Sequence, residues 1–84
     1  MKVLLADDEV TITVTLADAL SDAGHDVLTA EDTSAALELL ERENPEVVLT
    51  DVRMPGAGGM AVVARSIELD PRRPVIIMSG YASL

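Results

Sequence analysis

With 84 residues the chain has room for one domain, taken as 1–84, and a chain this short buries a comparatively small share of its surface. Its hydrophobic share is 49%, with no Phe or Trp and Tyr81 as the single aromatic, which predicts an aliphatic core; the absence of Cys excludes a disulfide framework and thiolate chemistry. A net charge of -9 argues against a nucleic-acid backbone as direct partner, and no apolar run approaches the roughly 18 residues that span a bilayer.

Met1-Lys2 leads straight into an apolar run with no cleavable signal pattern, so a cytoplasmic location is the default expectation. That run, Lys2 to Ala6, is a predicted strand. Val10 to Leu16 then poses a conflict: it alternates apolar and β-branched residues with the period of a half-buried strand. Yet Ile12, Leu16, Ala19 or Leu20, and Ala23 also form a helical stripe, and parallel strands need a crossover of about a dozen residues, usually helical. A helix from Val10 to Ala23 is therefore expected, ended by Gly24-His25.

Asp26 to Thr29 reads as the second strand. In the helix that follows, Ala36, Leu37, Leu39 and Leu40 face inward and Glu38, Glu41, Arg42 and Glu43 outward, with Asp32 or Thr33 capping its start and Asn44-Pro45 ending it. Val47 to Thr50 is the third strand, Met60 opens a third helix that Asp70-Pro71 closes, and Val75 to Met78 is the fourth strand. The first, third and fourth strands are almost unbroken apolar runs, as expected for a parallel sheet covered on both faces.

Those three runs end in Asp7-Asp8, in Asp51 and in Ser79-Gly80. If the strands are parallel, their carboxyl ends share one edge of the sheet, where open α/β folds place ligands. Three carboxylates converging there repel one another unless a cation intervenes, and hard oxygen donors favour Mg²⁺. The pattern implies a site for metal and phosphate. Glu9 reads as an exposed residue at a helix start and His25 as a surface turn residue.

Leu-Leu-Ala-Asp-Asp-Glu at the first strand end, Val-Leu-Thr-Asp-Val-Arg-Met-Pro-Gly around the third and Val-Ile-Ile-Met-Ser-Gly-Tyr-Ala-Ser at the fourth occur in one order. With these motifs the chain resembles the receiver domain of bacterial two-component response regulators, its last segment being most similar to receivers of transcriptional activators and sensor-kinase hybrids. The resemblance implies an α/β, flavodoxin-like (CheY-like) parallel sheet with strand order 2-1-3-4 and three helices, lacking the usual final helix, strand and helix. It makes Asp51 the phosphoacceptor, supplied by a histidine kinase or phosphotransfer protein. Asp8 and Asp51 are then expected as direct Mg²⁺ ligands, with Asp7 acting directly or through water and the Arg53 backbone carbonyl supplying another oxygen. Ser79 is the expected switch hydroxyl on the phosphoryl group, beside which Gly80 leaves room.

The chain departs from that family pattern at three places. Gly58-Gly59 stands where an acidic cap often precedes the glycine, so a looser loop is expected after Pro55 and Gly56. The lysine that usually ends a fifth strand has no counterpart: Lys2 lies at the far end of the first strand, and Arg53 is the basic residue nearest the acceptor in sequence. Without a fifth strand, Val75 to Met78 becomes an apolar edge. Either another protein supplies the missing strand, or the chain is a fragment of a larger gene product, or a homo-oligomer is expected through this edge or through Ser79 to Leu84, with Tyr81 buried in it. A second reading is a vestigial receiver that self-assembles or sequesters a partner. A haloacid-dehalogenase-like phosphatase also uses a strand-end aspartate but wants a second acid two residues later, where Arg53 stands.

Overall fold

Seven elements alternate along residues 1–78, the part of the chain that the computed structural model describes: β1 (Lys2–Ala6), α1 (Val10–Asp22), β2 (Asp26–Ala30), α2 (Thr33–Glu43), β3 (Val47–Asp51), α3 (Gly59–Leu69) and β4 (Val75–Met78). All strand pairs are parallel, in the order β2-β1-β3-β4. The expected sheet order and helix count are both present. Ser79, Gly80 and Tyr81 lie outside the described residues.

β1 occupies the interior of the sheet, and Val3, Leu4, Leu5 and Ala6 are each 2% exposed or less. Strand alternation divides them between the faces. Leu4 and Ala6 join Ala30, Val48 and Met54 in a core closed by Ala36 and Leu40 of α2 and Val62 of α3. Val3 and Leu5 turn to the other face, where α1 packs on β1 and β2. As composition requires, the core is aliphatic.

The conflict over residues 10–16 is resolved as helix. Threonines are poor helix formers partly because their hydroxyls seek local backbone partners, and here two of them find carbonyls one turn back. Thr13 Oγ1 donates toward Glu9 O at 3.2 Å and Thr15 Oγ1 toward Thr11 O at 2.8 Å. The expected stripe is corrected in one respect: Ile12, Leu16 and Leu20 are half-buried, Ala19 and Ala23 are exposed, and Thr13 is the buried residue of the helix. Its small side chain fits against the start of the β1–α1 loop, where its hydroxyl also reaches Asp7 O at 3.3 Å.

The helix stops follow local chemistry. After α1, Gly24 N donates to Ser21 O at 2.9 Å and His25 N to Leu20 O at 3.1 Å, with Gly24 at φ 94°, the pairing of a Schellman cap. Asp32 caps α2 by accepting from Ala35 N at 2.8 Å, and Asn44 ends it at φ 48°. His25 is half-buried rather than fully exposed, and its Nδ1 lies 3.4 Å from the Met1 amino group.

One structural residue escaped the sequence pattern. Arg73 is 6% exposed and fully engaged: Nε donates to Pro45 O at 2.8 Å, Nη1 to Ser66 Oγ at 3.1 Å and Nη2 to Asn44 Oδ1 at 2.8 Å. It ties the carboxyl ends of α2 and α3, where helix dipoles favour a cation, at the sheet edge opposite the acidic one. Truncation would leave buried acceptors unpaired. Arg73→Met is expected to lower unfolding stability by about 2–3 kcal/mol in urea titration, whereas a change below about 0.5 kcal/mol would mean that the clamp contributes nothing net.

Candidate phosphoacceptor and metal site

Parallel register brings the acidic strand ends together. Ala6 pairs with Thr50, so Asp7 and Asp8 leave β1 at the level where Asp51 closes β3, and the carboxylate oxygens of the three lie within 4.8 Å of one another. Asp7 is buried, Asp51 half-buried and Asp8 exposed. The convergence expected from the sequence is present.

Asp7 is the most constrained of the three. Its own N–H donates to Ala30 O at 3.0 Å, and its Oδ1 accepts from Glu9 N at 2.9 Å. Burial pushes its carboxyl above the ordinary value; the Glu9 N–H opposes this, and the charges of Asp51 and then Asp8 add to the rise. Glu9 itself is an exposed N-cap of α1, in keeping with its expected place.

Asp51 is held mainly through its backbone. Thr50, fully buried, donates its hydroxyl to Asp51 O at 3.0 Å. Gly59 at the start of α3 lies so close that a Cβ there would meet Asp51 O at 1.7 Å, so no side chain fits without displacing β3. Arg53 N lies 3.5 Å from Asp51 Oδ1, a long approach. Arg53 is exposed, and it is the only one of the chain's six basic residues that follows the carboxyl end of a strand. Lys2, at the opposite end of β1, pairs with Glu43 at 3.3 Å.

Donor chemistry therefore suits a hard divalent cation: three clustered carboxylates, one of them buried and repelled by the other two. Sequence reasoning offered Thr33 only as a possible cap of α2 and missed its other role: it is 4% exposed and engages the loop between β3 and α3. Its partners lie more than twenty residues away, so only the folded chain reveals it.

The sequence matches the response regulator receiver domain over residues 3–84. The chain belongs to that family. It is 38% identical over 82 residues to the DNA-binding transcriptional regulator NtrC of Escherichia coli (strain K12), covering 98% of this chain and 18% of that protein. It is 31% identical to sporulation initiation phosphotransferase F of Bacillus subtilis (strain 168), covering 99% of this chain and 67% of that one. This receiver also superposes, with a TM-score of 0.88 and 29% identity, on a response regulator protein from Burkholderia pseudomallei solved with a phosphorylated aspartic acid, calcium ion and citrate, over 99% of this chain and 49% of that one. The chain thus spans less than a fifth of the NtrC regulator's length. Among the described residues of the receiver, no helix is long and apolar enough to cross a membrane.

The sign of the Asp7 effect can be measured. Because the folded state binds the Asp7 proton more tightly than the unfolded chain does, this group's contribution to stability is fully present below the ordinary value of 3.8 and is lost as pH rises through the raised folded value. Asp7→Asn is neutral throughout and keeps an oxygen for the Glu9 N–H. Without divalent cations it should be more stable than wild type by about 1 kcal/mol near neutral pH, with the gain shrinking toward about pH 4. Urea titrations in chelator at both pH values test this, and a pH-independent gain would refute the assignment.

Proposed function

We propose that this receiver accepts a phosphoryl group on Asp51 from a histidine kinase or phosphotransfer protein, with Mg²⁺ held by Asp8 and Asp51, by Asp7 directly or through water, and by the Arg53 carbonyl. The observation that carries the reading is the clustering of Asp7, Asp8 and Asp51 within 4.8 Å at the carboxyl edge of the sheet. Bound there, the cation neutralises the charge that otherwise keeps a carboxylate and a phosphoryl group apart. An Asp51 oxygen forms the new bond to phosphorus, the bond from phosphorus to the donor's nitrogen or oxygen breaks, and the donor keeps that electron pair. The product is an acyl phosphate on Asp51. Ser79 is proposed as the hydroxyl that hydrogen-bonds it; in sequence it follows Met78, which pairs with Asp51 across β3 and β4. The cytoplasm, where such kinases present their phosphohistidine, is the proposed location.

Acetyl phosphate with Mg²⁺ should add one phosphoryl group to the wild-type chain in intact-mass spectra. Asp51→Asn, or excess chelator, should abolish the adduct while the fold persists. A wild type that stays unmodified at saturating donor would overturn the reading and leave a vestigial acidic site.

A specific observation also favours self-association. Among the described residues β4 pairs only with β3, and its Ile76 and Ile77 are 52% and 47% exposed on opposite faces of the sheet. An apolar strand with unpaired amides invites a second copy. We propose a two-fold dimer through this edge. Sedimentation should show a dimer at high micromolar concentration, and Ile77→Lys should shift it to monomer or weaken the fold. A wild type that is monomeric and cooperatively folded at that concentration would exclude this arrangement.

A further inference from the structure

The helix α3 begins without a side-chain cap, because Gly58 occupies its N-cap position at φ 83°. Support comes instead from Thr33, the first residue of α2, lying across from the loop. Thr33 N donates to Pro55 O at 3.1 Å, and Thr33 Oγ1 accepts from Gly58 N at 2.9 Å. The same hydroxyl lies 3.2 Å from Pro55 O and 3.2 Å from Gly58 O. It carries one proton, so it serves one carbonyl at a time and shares it between two positions of the loop. The turn at Gly56 leaves little slack, since a Cβ there would come within 3.1 Å of Thr33 Cβ.

Those bonds reach the acceptor through a short run of backbone. Gly58 adjoins Gly59, whose N–H donates to Val52 O at 2.9 Å and whose Cα packs directly against the Asp51 carbonyl. Arg53, proposed to contribute its carbonyl to the metal, belongs to the same loop. A shift of Gly58 cannot be absorbed locally, because the space between Gly59 and Asp51 is already filled.

We infer that Thr33 is a positioning residue for phosphoryl transfer: its hydroxyl holds the Pro55–Gly58 loop, and through Gly59 it fixes the Asp51 carboxylate against Asp7 and Asp8. This rests on the reading of Asp51 as the acceptor. Thr33 touches no reacting atom, so its effect appears as geometry at Asp51 rather than as loss of a group.

Three variants of this chain test it. Thr33→Val removes the hydroxyl at near-constant volume, Thr33→Ser keeps the hydroxyl, and Arg73→Lys weakens the far edge of the sheet as a stability control. Labelling by acetyl phosphate should slow about tenfold or more in Thr33→Val, stay within about twofold of wild type in Thr33→Ser, and be unchanged in folded Arg73→Lys. In the metal-free proteins, amide shifts of Gly58, Gly59 and Asp51 should move in Thr33→Val and not in Arg73→Lys. If Thr33→Val does not fold, Thr33→Ala takes its place with the same expected slowing. A folded hydroxyl-free variant that labels at the wild-type rate, or a slowing matched by Arg73→Lys at equal stability, overturns the inference while Asp51 remains the acceptor. Absence of labelling in wild type instead removes the acceptor reading and this inference with it.

Discussion

The meeting of three carboxylates at one sheet edge, fixed by strand register, is the constraint on which the site depends. Ala6 opposite Thr50 leaves Asp7 no choice but to face Asp51, and burial of Asp7 makes water a weak screen between them. The fold holds them there by covalent and packing means. β1 is buried on both faces, and the first turn of α1 turns the Glu9 N–H onto the Asp7 carboxylate. Two of the cations that serve the fold itself lie at the other end of the sheet: Lys2 against Glu43, and Arg73 between the ends of α2 and α3. One edge therefore gathers three carboxylates, while the opposite edge is internally paired.

Much of this was readable before folding because it depends on near neighbours in sequence. Unbroken apolar runs at β1, β3 and β4, and carboxylates placed right after the first two, need only the rule that parallel strands end on one side. The Asp32 cap and the Asn44 and Gly24 stops are local as well. Residues 10–16 show where local information misleads: β propensity favours a strand, but the crossover between β1 and β2 requires a helix, and hydroxyl bonds to carbonyls one turn back ease the cost. Thr33 and Arg73 stayed hidden for the opposite reason. The partners of the Thr33 hydroxyl lie at least 22 residues away, and two of the three acceptors of the Arg73 guanidinium lie 28 or 29 away, so no window of sequence holds the information.

The start of α3 shows two requirements that cannot be met by one residue. A capping side chain at position 58 would satisfy the helix end, whereas φ 83° there favours glycine. At position 59 only a glycine fits against Asp51 O. With both positions taken by glycine, the loop loses its intrinsic cap and keeps the largest conformational entropy to be removed on folding. The Thr33 hydroxyl compensates from the neighbouring helix. Local sequence alone predicts a looser loop, because the hydrogen-bonding partner supplied by α2 lies outside it.

β4 joins the site to an exposed apolar surface. Val75 packs against the core, yet the next two residues along the strand expose roughly half their surface, one on each face. Met78, at the same level as Asp51, belongs to that strand. A change in charge at Asp51 that displaced Met78 would alter the shape offered to anything pairing with the side of β4 that has no partner among the described residues. If Asp51 carries the proposed phosphoryl group, linkage works in both directions: a partner that prefers one position of Met78 must change the phosphorylation equilibrium by the same factor that phosphorylation changes its binding. The size of this coupling is limited by how differently the partner contacts β4 in the two states, and a rigid β4 would reduce it to zero however tightly the edge is occupied.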